Sequence, residues 1–151
     1  PEIVFLDIKA AYDSVDRGLL WRQAAAKGVN PFIIRVLRAL FDDNRSNVVV
    51  ANKRSRQFQH AAGLLQGSVL SPVLYSIFID PLAAKLEEHA TLTLANRRTA
   101  GLFYADDIAL VAESRPRMRQ LLQVCEDHSL EHNYRFNPRK CESFAPDNTY
   151  S

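Results

Sequence analysis

Apolar residues run almost without interruption from Ile3 to Ile8, broken only by Asp7 near the end. Such a run predicts a central strand buried on both faces, and a carboxylate at the end of a buried strand is unusual. Asp13-Ser14 then reads as a turn. Asp16 is placed to cap a helix from about Arg17 to Lys27, and Gly28 stands where a left-handed C-terminal residue belongs. Asn30-Pro31 opens a second helix, in which Ile33, Val36, Leu37, Leu40 and Phe41 recur at helical spacing as a core-facing stripe. Both helices are expected to pack on the same sheet.

Further along, Asn47 to Ala51 and Arg56 to His60 are short strand-like runs, joined by Asn52-Lys53-Arg54-Ser55 as a polar hairpin. A glycine-bracketed loop, Gly63 to Ser68, leads into a helix opened by Ser71-Pro72, with Val73, Leu74, Ile77 and Phe78 on one face and Pro81 as an expected kink or break. Leu102 to Tyr104 and Ile108 to Ala112 read as strands of a tight hairpin through Ala105-Asp106-Asp107. From Arg115 to about Asn133, Met118, Leu121, Leu122 and Cys125 form another helical stripe, and Phe136 with Cys141 to Phe144 reads as a returning strand. Strands alternating with helices predict an α+β fold, an antiparallel sheet with helices packed on one face.

Composition narrows the classes. At 151 residues and 47% hydrophobic content, the chain has the length of one domain and enough apolar residues for a core, which excludes disorder and collagen-like repeats. Nineteen Lys and Arg against 17 Asp and Glu leave a net charge of +2, so attraction to a polyanion has to come from local patches such as Arg45, Lys53, Arg54 and Arg56. The cysteines, Cys125 and Cys141, do not make a disulfide scaffold. Together with the lack of a charged segment followed by an apolar one at the start, they predict a reducing, intracellular setting, nuclear or cytoplasmic, without export. No apolar run approaches the roughly 20 residues of a membrane-spanning helix. The sequence starts at Pro1 and enters a strand at once, which reads as a piece of a longer frame.

The carboxylates carry the chemistry. If the strand ending in Asp7 neighbours the hairpin bearing Asp106 and Asp107, all three acids meet at one sheet edge. Their mutual repulsion then calls for a compensating cation. Oxygen donors suit magnesium or manganese, and two such ions can clamp both the attacking and the leaving oxygens of a phosphoryl transfer. Taken singly, each aspartate also fits a turn or cap.

Phe5-Leu6-Asp7-Ile8-Lys9-Ala10-Ala11-Tyr12-Asp13 resembles the first palm motif of reverse transcriptases, and Gly63-Leu64-Leu65-Gln66-Gly67-Ser68-Val69-Leu70-Ser71-Pro72 resembles the second. Phe103-Tyr104-Ala105-Asp106-Asp107 is similar to the third and Asn137-Pro138-Arg139-Lys140-Cys141-Glu142 to the fourth. Order and spacing resemble the non-LTR retrotransposon and group II intron type over nearly the whole chain. The resemblance implies a single partial polymerase palm over 1–151 with a ferredoxin-like or RRM-like core, the fingers and thumb lying outside it. It implies that Asp7, Asp106 and Asp107, with the Ile8 carbonyl, bind two Mg2+ or Mn2+ ions. Tyr12 takes the position of a steric gate against a 2′-hydroxyl. Gln66, Gly67 and Ser68 contact the nucleotide, and Lys140 lies near the pyrophosphate. The implied reaction is transfer of a nucleotide from a dNTP to a DNA primer 3′-hydroxyl on an RNA or DNA template. Read from the residues themselves, Arg45, Lys53, Arg54 and Arg56 either contact template or primer phosphates or form a solvated hairpin face. The alternative is an inactive relic or a repurposed nucleic-acid or protein interaction domain.

A rival constellation is His128-Ser129-Leu130-Glu131-His132, which fits an inverted zinc-protease pattern, with Cys125 at helical spacing and Cys141 downstream. The favoured expectation is a core Cys125 and histidines on a solvent-facing or mixed helix end.

Overall fold

The computed structural model of the protein describes residues 1–94 and 96–145. In chain order the elements are β1 (Glu2–Asp7), α1 (Arg17–Ala26), α2 (Pro31–Asp42), β2 (Arg45–Ser46), β3 (Val49–Val50), β4 (Lys53–Arg54) and β5 (Phe58–Gln59). They continue with α3 (Ser71–Glu88), β6 (Leu92–Leu94), β7 (Arg97–Thr99), β8 (Gly101–Tyr104), β9 (Asp107–Ala112), α4 (Arg115–Glu131) and β10 (Glu142–Phe144). The chain divides into two compact units, one of residues 1–11 with the described residues from Ile79 onward, the other Tyr12–Phe78.

In the first unit β10, β1, β9 and β8 form, in that order, an antiparallel sheet. Numbered by their sequence, these strands run 4-1-3-2, the ferredoxin-like order. Side chains alternate along the central β1: Val4 and Leu6 are buried while Phe5 between them is half exposed. Ile108, Leu110 and Ala112 of β9 complete the buried face, and α4 covers it with Met118, Leu121 and Cys125. The expectation of a strand buried on both faces is therefore corrected. Helical cover lies on one side, so Phe5, Leu102, Tyr104 and Phe144 remain exposed on the other despite the apolar run. Leu82 and Leu86 of α3 are fully buried, and Lys85 reaches Glu131 of α4 at 2.7 Å.

Helix α3 continues through Pro81, against the expected break. Proline removes one backbone hydrogen bond, but buried Phe78, Ile79 and Leu82 on either side of it hold the helix together. The β6–β7 hairpin was not expected from the sequence pattern; Asn96 lies there at a φ of 65°.

In the second unit the caps form as expected. The Asp16 side chain accepts the Leu19 N–H at 2.9 Å. Gly28, at φ 79°, donates to the Ala25 carbonyl while Val29 donates to that of Ala24, the paired bonds of a Schellman end. The stripe assigned to the core on α2 is a second correction. Phe41 is buried, tilted against Trp21 at 6.3 Å, whereas Ile33, Val36 and Leu40 are exposed. The helix meets α1 through its C-terminal turn, which leaves the upstream apolar positions uncovered. The basic hairpin is two nested ladders, β2 with β5 and β3 with β4, turning at Ala51-Asn52 instead of across residues 52–55. Both turn residues have positive φ, 46° and 61°, the backbone twist that two-residue hairpins favour.

Candidate active site

Register decides where the carboxylates stand. In the β1–β9 ladder Asp7 is paired with Asp107, and in the β8–β9 ladder Asp107 is paired with Tyr104. Paired residues of an antiparallel ladder share a face, with Cβ atoms about 4.5–5.5 Å apart, and like charges so placed repel. Asp7 and Asp107 thus face one another on the uncovered side of the sheet, where Phe5, Leu102, Tyr104 and Lys140 line a common groove with them. Asp106 sits in the two-residue turn Ala105-Asp106, with Ala105 at φ 54°. The acids are less buried than expected: Asp7 retains 14% of its side-chain exposure, Asp106 is intermediate and Asp107 is exposed.

Repulsion between the acids is offset by Lys140, whose Nζ donates to Asp7 Oδ1 at 3.1 Å. Its ammonium is held above the ordinary lysine pKa, first by that hydrogen bond, then by the charges of Asp7, Asp106 and Asp107. All three acids therefore act on one cation at one end of the sheet. They do not form a closed cage: among the described residues no three His, Cys, Asp or Glu side chains converge as a metal-holding group. The donors nonetheless fit a hard divalent ion in kind, since two carboxylates face across a ladder with a third in the adjoining turn. Ile8 is buried and bridges Phe136; Asn137 N–H donates to the Asp7 carbonyl and Lys9 N–H to that of Arg135. Backbone alternation then turns the Ile8 carbonyl to the opposite side of the strand, where β9 begins at Asp107.

The residues expected to contact the nucleotide lie in the second unit. Tyr12 is half-buried and stacked on the fully buried Tyr75, with ring centroids 5.1 Å apart. Leu64 N–H donates to the Tyr12 carbonyl and Gly63 N–H to that of Val15, fastening the loop to the segment after β1. Gly63 is needed for close approach, though to the protein's own backbone and not to a ligand: a Cβ there would lie 2.8 Å from the Asp13 carbonyl oxygen. The exposed Gln66 Nε2 donates to both Asp13 carboxylate oxygens at 3.3 Å. Gly67 has φ 82° with open space around it, and the Ser68 hydroxyl accepts the Leu70 N–H at 3.3 Å. Arg45, Lys53, Arg54 and Arg56 are all exposed on the nested hairpin.

The sequence profile of reverse transcriptases (RNA-dependent DNA polymerases) matches residues 2–150. The chain belongs to the reverse transcriptase family. Relatives include the Pol polyprotein of the type-1 retrotransposable element R2 of Nasonia vitripennis, 27% identical over 95% of this chain and 14% of the relative. The RNA-directed DNA polymerase of the mobile element jockey of Drosophila funebris is 30% identical over 91% of this chain and 15% of its own length. The reverse transcriptase chain thus spans about a seventh of these two relatives. Its α+β fold matches telomerase of Candida tropicalis, solved with a fragment of telomeric RNA, at a TM-score of 0.79 and 16% identity over 99% of this chain and 26% of that one. Telomerase of Candida albicans gives 0.78 at 14% identity, over 99% of this chain and 27% of that one.

Of the two helix ends expected for the histidines, the structure keeps the mixed one: His128 is fully buried and His132 nearly so, their rings stacked at 3.7 Å, while Leu130, Glu131 and Asn133 beside them are exposed. His128 Nδ1 pairs with the Tyr134 hydroxyl at 2.9 Å, and His132 Nδ1 with the His128 carbonyl. Burial pushes the Cys125 thiol up to about 12, as a core residue, and both cysteines are free. Sequence reasoning missed Arg17, which is buried and donates to the carbonyls of Phe41 and His60 with Asp42 at 3.6 Å. Its position behind a helix cap gave no signal of that role. No helix among the described residues is long and apolar enough to cross a membrane.

Proposed function

We propose that this domain carries the catalytic carboxylates of RNA-directed DNA synthesis, in which a primer 3′-hydroxyl takes a nucleotide from a dNTP on an RNA or DNA template. The observation that supports it is the Asp7–Asp107 pairing on the open sheet face of a reverse transcriptase chain. Asp7, Asp106 and Asp107, with the Ile8 carbonyl, would hold two Mg2+ or Mn2+ ions. When bound, these ions neutralise the charge developing on the attacking and departing oxygens. The protein's own part is positioning. Tyr12, braced by Tyr75, would place its ring where a 2′-hydroxyl collides with it, favouring deoxynucleotides. Gln66, Gly67 and Ser68 contact the nucleotide. Lys140 stays protonated beside Asp7 and supplies a proton or positive charge to the leaving pyrophosphate. Arg45, Lys53, Arg54 and Arg56 contact template or primer phosphates, an electrostatic role that does not read sequence. The parent polypeptide's segments beyond this domain would complete the nucleic-acid grip.

The test is a Mg2+ and Mn2+ titration of thermal stability, comparing the chain with Asp107→Asn, alongside primer extension on an RNA template by the full-length parent. Removing one of two facing like charges should stabilise the metal-free variant by about 0.2–1 kcal/mol. The same variant should lose the metal-dependent rise in Tm and primer extension. Equal metal-dependent rises in Tm in the two chains refute the assignment, and a folded chain without such a rise, together with a parent that does not extend the primer, favours the relic.

A further inference from the structure

We infer that Asp13 is a positioning residue that locks the Gln66 side-chain amide in one orientation, so that Gln66 presents its carbonyl oxygen to the nucleotide. This rests on the reading of Gln66 as a nucleotide contact. Both 3.3 Å contacts to Asp13 come from the amide nitrogen. A flipped amide would set Oε1 against a carboxylate at the same distance, two acceptors with no proton between them, so the charge of Asp13 selects the observed orientation. Oε1 accepts no hydrogen bond from the described residues. It is left to accept from a donor outside the chain, which on a nucleotide means a sugar hydroxyl or a base N–H.

The backbone enforces this meeting. The bonds from Leu64 N–H to Tyr12 O and from Gly63 N–H to Val15 O bracket Asp13 on both sides. Gly63, at φ 87°, lets the loop approach Asp13 more closely than any side chain would permit. Asp13, Gln66 and Gly63 line one depression of this unit, together with Arg17 and His60. Arg17 does not compete for Asp13, because its guanidinium is engaged by the Phe41 and His60 carbonyls and by Asp42.

The Gln66 amide itself gives the test. In a 15N-labelled chain the Gln66 NH2 resonances are assigned by their loss in Gln66→Ala. Asp13→Ala should move them to the positions of a free glutamine side chain, and Asp13→Asn, which keeps one acceptor, should move them part of the way. Unchanged Gln66 resonances in Asp13→Ala overturn the inference whatever the nucleotide does. In parallel, dTTP is titrated with Ca2+ in place of Mg2+ to hold turnover off. Asp13→Ala and Gln66→Ala should each weaken binding by roughly fivefold, the worth of about one hydrogen bond. The double variant should be no weaker than either, and Asp13→Asn should recover part of the loss. Additive losses also overturn the inference. If Gln66→Ala leaves dTTP affinity unchanged, the assignment of Gln66 as a nucleotide contact fails by itself, and the amide resonances still decide the role of Asp13.

Discussion

Acid should unfold this domain through His128, earlier than its carboxylates alone would. Burial, the neighbouring His132 and Lys85 push His128 down to about 3, against a weaker upward pull from Glu131. Its Nε2 is buried without a hydrogen-bond partner among the described residues, so a proton there has nothing to bond. The unfolded chain binds that proton near pH 6.5 and the folded one resists it. The contribution is therefore fully present above pH 6.5 and is lost as pH falls toward the folded value. The loss is about 1.4 kcal/mol per pH unit, or about 2 kcal/mol at pH 5. For a chain of this size that lowers Tm by about 4–8 °C. Urea unfolding of the chain and of His128→Gln at pH 7.5, 6 and 5 measures it. Glutamine is polar, does not titrate and is long enough to reach the Tyr134 hydroxyl, so the variant should lose that share of the slope. Parallel pH dependences in the two proteins would refute the reasoning.

Arg17→Lys should destabilise by about 2–4 kcal/mol in chemical denaturation, because an ammonium cannot span the two carbonyls that the planar guanidinium serves, and one is left buried and unpaired. A variant within 0.5 kcal/mol of the parent would show those bonds to be dispensable. Gly63→Ala should lose about 1–3 kcal/mol, since it combines a left-handed φ with a Cβ 2.8 Å from backbone oxygen. Gly67→Ala, with a similar φ and open surroundings, should lose less; equal losses by thermal melts would assign the whole effect to φ and none to crowding.

Features fixed within a few residues were legible in the sequence. Asp16, Gly28 and the acidic hairpin form from local hydrogen bonds and turn geometry, and they stand where the pattern put them except that Asp107 belongs to β9 and not to the turn. The juxtaposition of Asp7 with Asp107 was legible as a shared sheet edge. Its strict pairing was not, because register depends on strands a hundred residues apart. The α2 stripe misled because helical periodicity reports an apolar face without saying what covers it, and in this unit the burial falls on Phe41. For His128 and His132 the sequence left a solvent-facing and a mixed helix end open, because the partner that favours burial, Tyr134, is visible only in the structure. Arg17 was invisible because its partners are carbonyls, which no side-chain pattern reveals.

The turn at Ala105-Asp106 sets a rule of number for this chain. Strand side chains alternate with a period of two, so a one-residue slip of β9 against its neighbours would send Asp107 to the covered face, and a residue added between Tyr104 and Asp107 keeps the register only if a longer loop or a bulge absorbs it. Ala105 itself, at φ 54°, could become glycine or asparagine with its backbone eased. Substitution keeps this two-residue turn and insertion replaces it with another turn type, so the spacing of the acidic motif is tied to the geometry of the ladder more closely than is the identity of the residue that precedes it.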